Sequence, residues 1–427
     1  MTTTNPQYRY PLQPWVVVLC SSLFFFYEFI QMNMPNSINT QLMQAFHVGS
    51  IGVSNLSAAY FYADIVMLIP AGLILDRMST RKLLLIAIAA CALSSLIFAA
   101  AHSYWIAFAA RLLIGLGSAF ALLASIRLAS RWFPAEKLAL ISGLVVTMAM
   151  LGGAVAQTPL SLLVDAIGWR AAVICDAMLG LTFLLVIYKT VFDYPDHYQA
   201  QHASNMKQLK SLPWNSLLKK IFSNRQNWVA GLFTSLLNLP IMVMGGLWGT
   251  PYLQAVEGFT KTQASVVSSM LFIGTIFGSP ILGRLSDRIG LRRIPMIVFG
   301  FLSLGMICII LYVHDMGFWP MLLLFLALGF ITSAQILTYP LIAESNPKSI
   351  TSGAMGLSSF IIMAGGAVFQ PLVGWLLNLH WLGETVAGTP VYSAADFSSA
   401  FIILPITFAV AILAAFLVKE TYCKAYD

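Results

Sequence analysis

Four ionisable side chains stand inside stretches of this sequence that are otherwise apolar: Glu28, Asp64, Arg111 and Asp176. A charge in such surroundings is costly and persists where it faces a cavity or a partner. The residue types suggest the chemistry. Arg111 offers an always-charged planar fork suited to a carboxylate. Glu28 can hold an ammonium group, or a proton whose affinity rises when another group occupies the arginine. Counting ~1.5 Å per helical residue puts Glu28 about 9 Å and Arg111 about 10 Å below the same face, a matched depth at which the two could pair. That pair either exchanges partners with a ligand and a proton or permanently bridges two helices. Asp64, in "YFYADIVMLIP", is either a second proton carrier or a packing acid bonded to Tyr60 or Tyr62. Arg127, Glu136 and Glu344, near the ends of their apolar runs, fit a salt-bridge network better than a binding site.

Amides form the second set. "MLGGAVAQTP" (Met150–Pro159) returns as "MAGGAVFQP" (Met363–Pro371), with Gln157 and Gln370 separated by 213 residues. Each glutamine follows a Gly-Gly pair and stands near a proline. An amide both donates and accepts, so the two could hold opposite ends of a polar ligand. "NLPIMVMGGLWGTPYL" supplies a breakable helix through Pro240, Gly245, Gly246 and Pro251. Asn238 lies near its middle, while Trp248 and Tyr252 share one face at i, i+4. Those aromatics form either an outer gate or an interfacial belt. Gln335 and Tyr339 share a face further along the chain.

The elements that position these groups follow from composition. Of 427 residues, 59% are hydrophobic and 9% charged, with a mean hydropathy of +0.82. About 25% charged is usual for a soluble domain, so the chain is an integral membrane protein. Twelve runs of roughly 20 residues each reach across a ~30 Å hydrocarbon core: 14–35, 54–75, 83–101, 105–128, 138–163, 169–191, 228–254, 265–284, 294–312, 318–342, 353–378 and 397–418. They are too long and too poorly alternating for barrel strands. The predicted fold class is an all-α membrane protein of twelve transmembrane helices in two pseudo-symmetric six-helix bundles. The bundles are expected at 1–192 and 227–427, joined by a polar, basic linker at 193–226 whose "LKSLPWNSLLKKIF" would lie at a headgroup boundary.

With both termini in the cytoplasm, 20 of 23 Lys and Arg fall on that side, the positive-inside pattern. The net charge of +7 is thus a topology signal, with no nucleic-acid partner implied. The first apolar run follows only Arg9 and has no small-residue cleavage site, so it reads as a retained helix. Five scattered cysteines show neither a disulfide framework nor a metal spacing, and all six histidines fall in predicted loops. No metal, cofactor or catalytic residue is expected, nor a phosphate-binding glycine loop for ATP. The expected contacts are a small-molecule substrate, protons and membrane lipid.

A second echo shares nearly the same offset. "GLILDRMSTRK" (Gly72–Lys82) and "GRLSDRIGLRR" (Gly283–Arg293) set Asp76 and Asp287 211 residues apart. Halves duplicated about an axis along the membrane normal are the plan of a rocking transporter with its site between them. On these residues, together with "RLLIGLGSA" (Arg111, Gly115, Gly117), "RWFP" and "GWR", the chain resembles the major facilitator superfamily over essentially its whole length. The resemblance implies the major facilitator fold, a functional monomer, and a gating role for Gly72, Asp76, Arg77 and Arg81 and for Gly283, Asp287, Arg288 and Arg292. It also places Glu28 and Arg111 beside the cavity, where a buried pair is then expected, and makes Asp176 structural. "FFFYEFIQMN", "AYFYAD", "IRLASRWFP" and "GLVVTMAMLGGAVAQTPL" are similar to the phagosomal nutrient transporters of intracellular bacteria, associated with uptake of amino acids and, in some members, nucleosides.

The resulting expectation is a secondary transporter in the cell inner membrane importing a small polar solute, an amino acid first, with protons. Substrate contacts are assigned to Glu28, Arg111, Gln157, Asn238, Gln370, Trp248 and Tyr252, and proton coupling to Glu28 and Asp64. The alternatives are a nucleoside importer and a proton-driven exporter of drugs or siderophores. "GGAVAQTPLSLL" lacks the Gly-Pro pair usual in the family's antiporters, which argues against export. No nucleophile–base set or sizeable soluble domain suggests an enzyme or a receptor.

Overall fold

The computed structural model describes residues 12–133, 138–194, 214–313, 315–347, 351–381, 383–386 and 389–424. Twelve helices are long and apolar enough to cross a membrane. They are α1 (Gln13–Phe46), α2 (Ser50–Arg77), α3 (Thr80–Ala100), α4 (Tyr104–Trp132), α5 (Ile141–Ile167), α6 (Trp169–Thr190), α7 (Arg225–Glu257), α8 (Lys261–Ile289), α9 (Arg293–Tyr312), α10 (Phe318–Glu344), α11 (Thr351–His380) and α12 (Ala394–Leu417). His380 therefore ends a helix rather than lying in a loop. The expected Glu136 and most of the linker fall outside the described residues.

Local chemistry sets the ends. Ser79 accepts from Lys82 N at the start of α3, and Asn224 accepts from Gln226 N at the start of α7. Thr260 and Gln263 form a reciprocal capping box on α8. Gly290, at φ +70°, closes α8 in a left-handed turn that a side chain would strain. The amphipathic stretch of the linker forms a short helix, Trp214–Ser223. A two-residue hairpin, β1 (Thr385–Val386) with antiparallel β2 (Thr389–Pro390), joins α11 to α12. It is a small departure from the all-helical expectation.

Helices α1–α6 pack together, as do α7–α12. Within each half, glycines permit backbone contact. A Cβ on Gly115 of α4 would stand 2.1 Å from Tyr60 O of α2. In the other half, Cβ atoms on Gly274 of α8 and Gly329 of α10 would meet Leu326 O and Leu271 O at 2.2 and 2.1 Å. The start of α1 and the end of α12 lie on one face of the bundle, here the terminal face; the opposite face is the distal face.

Candidate functional site: the interface between the bundles

Seven hydrogen bonds join the two halves among the described residues, all toward the distal face. Asn39 Nδ2 donates to Leu247 O (3.2 Å), Gln157 Nε2 to Gly245 O (2.9 Å), and Thr250 N to Asn36 Oδ1 (2.9 Å). Ser50 donates from N to Tyr392 Oη (2.8 Å) and from Oγ to Gly374 O (2.7 Å). Thr158 and Ser269 share a hydroxyl bond of 3.0 Å, and Lys261 pairs with Asp165 at 2.5 Å. Toward the terminal face no such bond joins the halves among the described residues. The described hydrogen bonds between the halves thus gather on the distal side.

The centre of this closure is in α7. Pro240 lacks an N–H, and Pro240–Trp248 winds as a wide π-helix. Amides from three other helices attach to it. Gln157 accepts from Asn36 Nδ2 (2.6 Å) while donating to Gly245 O, and Gln370 Nε2 donates to Met242 O (2.7 Å). The two glutamines expected to hold a ligand across the pseudo-twofold each donate one N–H to this segment. Both are wholly buried.

The repeated glycines act in matched ways. A Cβ on Gly152 would meet Phe26 O of α1 at 2.0 Å, and one on Gly365 would meet Ser235 Oγ of α7 at 2.6 Å, both within their own bundles. The second glycine of each pair receives an aromatic ring from the other bundle. A Cβ on Gly153 would stand 2.3 Å from the Phe272 ring, and one on Gly366 2.7 Å from the Phe61 ring. Phe61 and Phe272 are 211 residues apart, as are Asp76 and Asp287. The duplication therefore writes the same closing contact twice.

The acids and Arg111 sit inside the first bundle, buried, but the expected ion pair is not formed. Arg111 donates from Nη1 to Gln31 O (2.7 Å) and from Nη2 to Ser57 O (3.4 Å), and its guanidinium lies 5.4 Å from the Tyr60 ring centroid. Glu28 receives Tyr60 Oη at 3.4 Å through Oε2, while Oε1 has no partner. Carbonyls of α1 and α2 take the arginine instead. Asp64 bonds neither tyrosine; it accepts from Ser118 Oγ of α4 at 2.7 Å. Asp176 accepts from Gln31 Nε2, joining Tyr27 and Ser95 in one network.

In the second bundle Asn238 accepts from Gln335 Nε2 at 2.9 Å. Trp248 and Tyr252 are each 1% exposed, which excludes the lipid-belt reading. Tyr252 stacks on Phe401 at 4.9 Å and donates to Ile310 O, so it faces its own bundle's core. Trp248 packs edge-on against Tyr392 and Phe397 beneath the α11–α12 hairpin.

The charged loops tie each bundle internally. Asp193 accepts from Ser79 Oγ and from Arg81 N (3.0 Å), and pairs with Arg131 at 3.4 Å. Arg81 lies 5.2 Å from both the Tyr188 and Phe192 ring centroids beside a cavity of about 340 Å³. In the second half Glu420 accepts from Arg292 N (2.7 Å) and Arg293 N (2.9 Å). Arg292 pairs with Asp287 (2.7 Å) and Glu344 (2.8 Å). Burial alone would lower its guanidinium's proton affinity, but the hydrogen bonds it donates to Glu344 and Asp287 outweigh burial and raise it. Arg288 is exposed, and the side chains of Asp76 and Arg77 fall outside the described residues. Gly72 and Gly283, expected to let helices approach, meet nothing within 4 Å.

Asn33, Asn36 and Asn39 were not singled out from the sequence, although "QMNMPNSINTQ" is a conspicuous polar run inside an apolar helix. Asp193 and Glu420 lie just beyond the sixth and twelfth helices, where a lone carboxylate gives no pattern.

Two six-helix halves closing around a polar interface define a membrane transporter. The chain belongs to the Major Facilitator Superfamily, whose model matches residues 19–333 and 242–423. It is 22% identical over 244 residues to the probable sulfoacetate transporter of Cupriavidus necator, covering 54% of this chain and 55% of that protein. It is 23% identical over 359 residues to the lysosomal dipeptide transporter of Danio rerio, covering 81% of this chain and 77% of that one. The match thus spans little more than half the length of the first relative. Among solved structures, a bacterial homologue of the human lysosomal transporter Spinster, inward-facing and unoccupied, superposes with TM-score 0.76 at 14% identity, over 96% of this chain and 97% of that one.

Proposed function

We propose that this transporter imports a small polar solute, an amino acid in first place, by alternating access coupled to protons. The observation that carries the reading is one-sided closure next to two buried carboxylates, Glu28 and Asp64, on the helices that close. Glu28 keeps one oxygen unpartnered, so it has room for a proton or a cationic group. The positive-inside pattern assigns the terminal face to the cytoplasm of a cell inner membrane, making the observed state open to the inside. A monomer holds both halves of the interface. The similarity of "AYFYAD" and "GGAVAQTPL" to phagosomal amino-acid transporters, and a relative that carries dipeptides, support an amino-acid substrate.

The test is uptake by proteoliposomes of a labelled amino-acid and nucleoside panel, with and without an imposed pH gradient. Accumulation of at least one amino acid, driven by an inward proton gradient, is expected. Uptake of nucleosides alone would replace the substrate class, and gradient-independent uptake would remove Glu28 and Asp64 from coupling.

A further inference from the structure

Asn33 of α1 and Gln370 of α11 approach Gly246 of the π-helix from opposite bundles, and Asn33 also approaches Gly245. A Cβ on Gly246 would stand 2.7 Å from Gln370 Nε2 and 3.9 Å from Asn33 Oδ1; one on Gly245 would stand 3.7 Å from Asn33 Oδ1. Both side chains are 0% exposed. Asn33 Nδ2 donates to Phe29 O at 2.8 Å, and Gln370 Nε2 donates to Met242 O. Because each of those partners is a carbonyl oxygen, the atom facing it must be the amide nitrogen. The amide oxygens are therefore the free ends, and neither Asn33 Oδ1 nor Gln370 Oε1 has a partner.

An unsatisfied buried acceptor carries a desolvation penalty, and native structures rarely keep one without a reason. Here two such acceptors end side chains that converge on Gly246 from opposite halves. Two unpartnered acceptors suit a ligand that brings its own N–H groups. We propose that the amide oxygens of Asn33 and Gln370 receive the ammonium group of the substrate. The assignment rests on the amino-acid reading above and sharpens it: the substrate is a primary amine, and a sulfonate or carboxylate without an amine is rejected. Because the oxygens come from different bundles, the ammonium also couples occupancy to distal closure. It binds when the halves meet and leaves when they part.

The experiment uses purified full-length protein in a thermal-shift and radioligand-competition assay. The probes are matched sets: L-alanine and L-leucine, their N-acetyl derivatives, sulfoacetate, and sodium chloride alone. Amino acids should bind and stabilise, N-acetylated forms should not compete, and Asn33→Leu or Gln370→Leu should weaken amine binding about tenfold or more. Should the leucine variants unfold, Asn33→Asp decides, since it keeps an acceptor, adds charge and should bind amines at least as tightly. Amino acids that bind equally well to both leucine variants, or N-acetyl forms that compete fully, overturn the ammonium site and leave amino-acid transport standing. Loss of amine binding in Asn33→Asp also overturns the site, as does stabilisation by sodium alone. Binding of sulfoacetate alone, or of none of the probes, overturns both.

Discussion

Gln157 uses both ends of its amide in one contact, taking a hydrogen bond from Asn36 and giving one to Gly245 O across the bundle interface. Truncation leaves a carbonyl and an amide N–H unsatisfied on buried groups, about 1–3 kcal/mol each. That cost falls mainly on the closed distal face, where both partners are held together. Gln157→Ala should therefore shift the population by roughly tenfold or more toward distal opening. In a background free of native cysteines, spin labels at Ile51 and Thr260, exposed on opposite halves near that face, should show a longer distance. An unchanged distribution would remove Gln157 from the closure. Glutamine's chemistry was legible in the sequence, because an amide repeated in an apolar run needs a partner. Its partner was not, since a backbone carbonyl freed by Pro240 in another helix leaves no mark on the residues around Gln157. The same blindness affected Glu28 and Arg111. Depth can be counted along a helix, but competition from the carbonyls of Gln31 and Ser57 is a matter of azimuth.

At the scale of the element, α5 and α11 are the helices whose glycine pairs seat the rings of α8 and α2. All twelve helices and the duplication were readable, because a membrane sets span lengths near 20 residues and a constant offset of 211–213 reveals the repeat. Which helix each glycine faces was not readable, since several helices could have presented a ring. Gly153→Val and Gly366→Val place methyl groups where Phe272 and Phe61 now sit. Overpacking of this kind costs about 1–3 kcal/mol and acts only while the distal face is shut. Each variant should lengthen the distal label distance, and the double variant should do so more than either alone. Transport should slow in proportion while the amount inserted in the membrane is kept. Equal distances in the wild type and the double variant would show that the rings are not closing contacts.

For the whole molecule, alternation requires that the terminal face also close, and the duplication indicates which surfaces would do it. Gly72 stands 11 residues after Phe61, and Gly283 stands 11 after Phe272. Eleven residues are close to three turns of 3.6, so each loop-motif glycine lies on the face of its helix that carries the closing ring, displaced toward the terminal face. Both meet nothing within 4 Å in the present state, while Asp193 and Glu420 keep the neighbouring loops tied inside their own bundles. We propose that these glycines serve the opposite conformation, in which the terminal ends come together. Gly72→Leu and Gly283→Leu should leave the present state's stability unchanged and obstruct the other by overpacking. Such variants should still bind substrate when open toward the terminal face, while net uptake by proteoliposomes falls by tenfold or more. The distal label distance should stay short even under substrate and a pH gradient, the reverse of Gly153→Val. If Gly72→Leu and Gly283→Leu instead transport normally, the terminal face closes on other residues, and the two halves do not exchange roles as their repeated sequence implies.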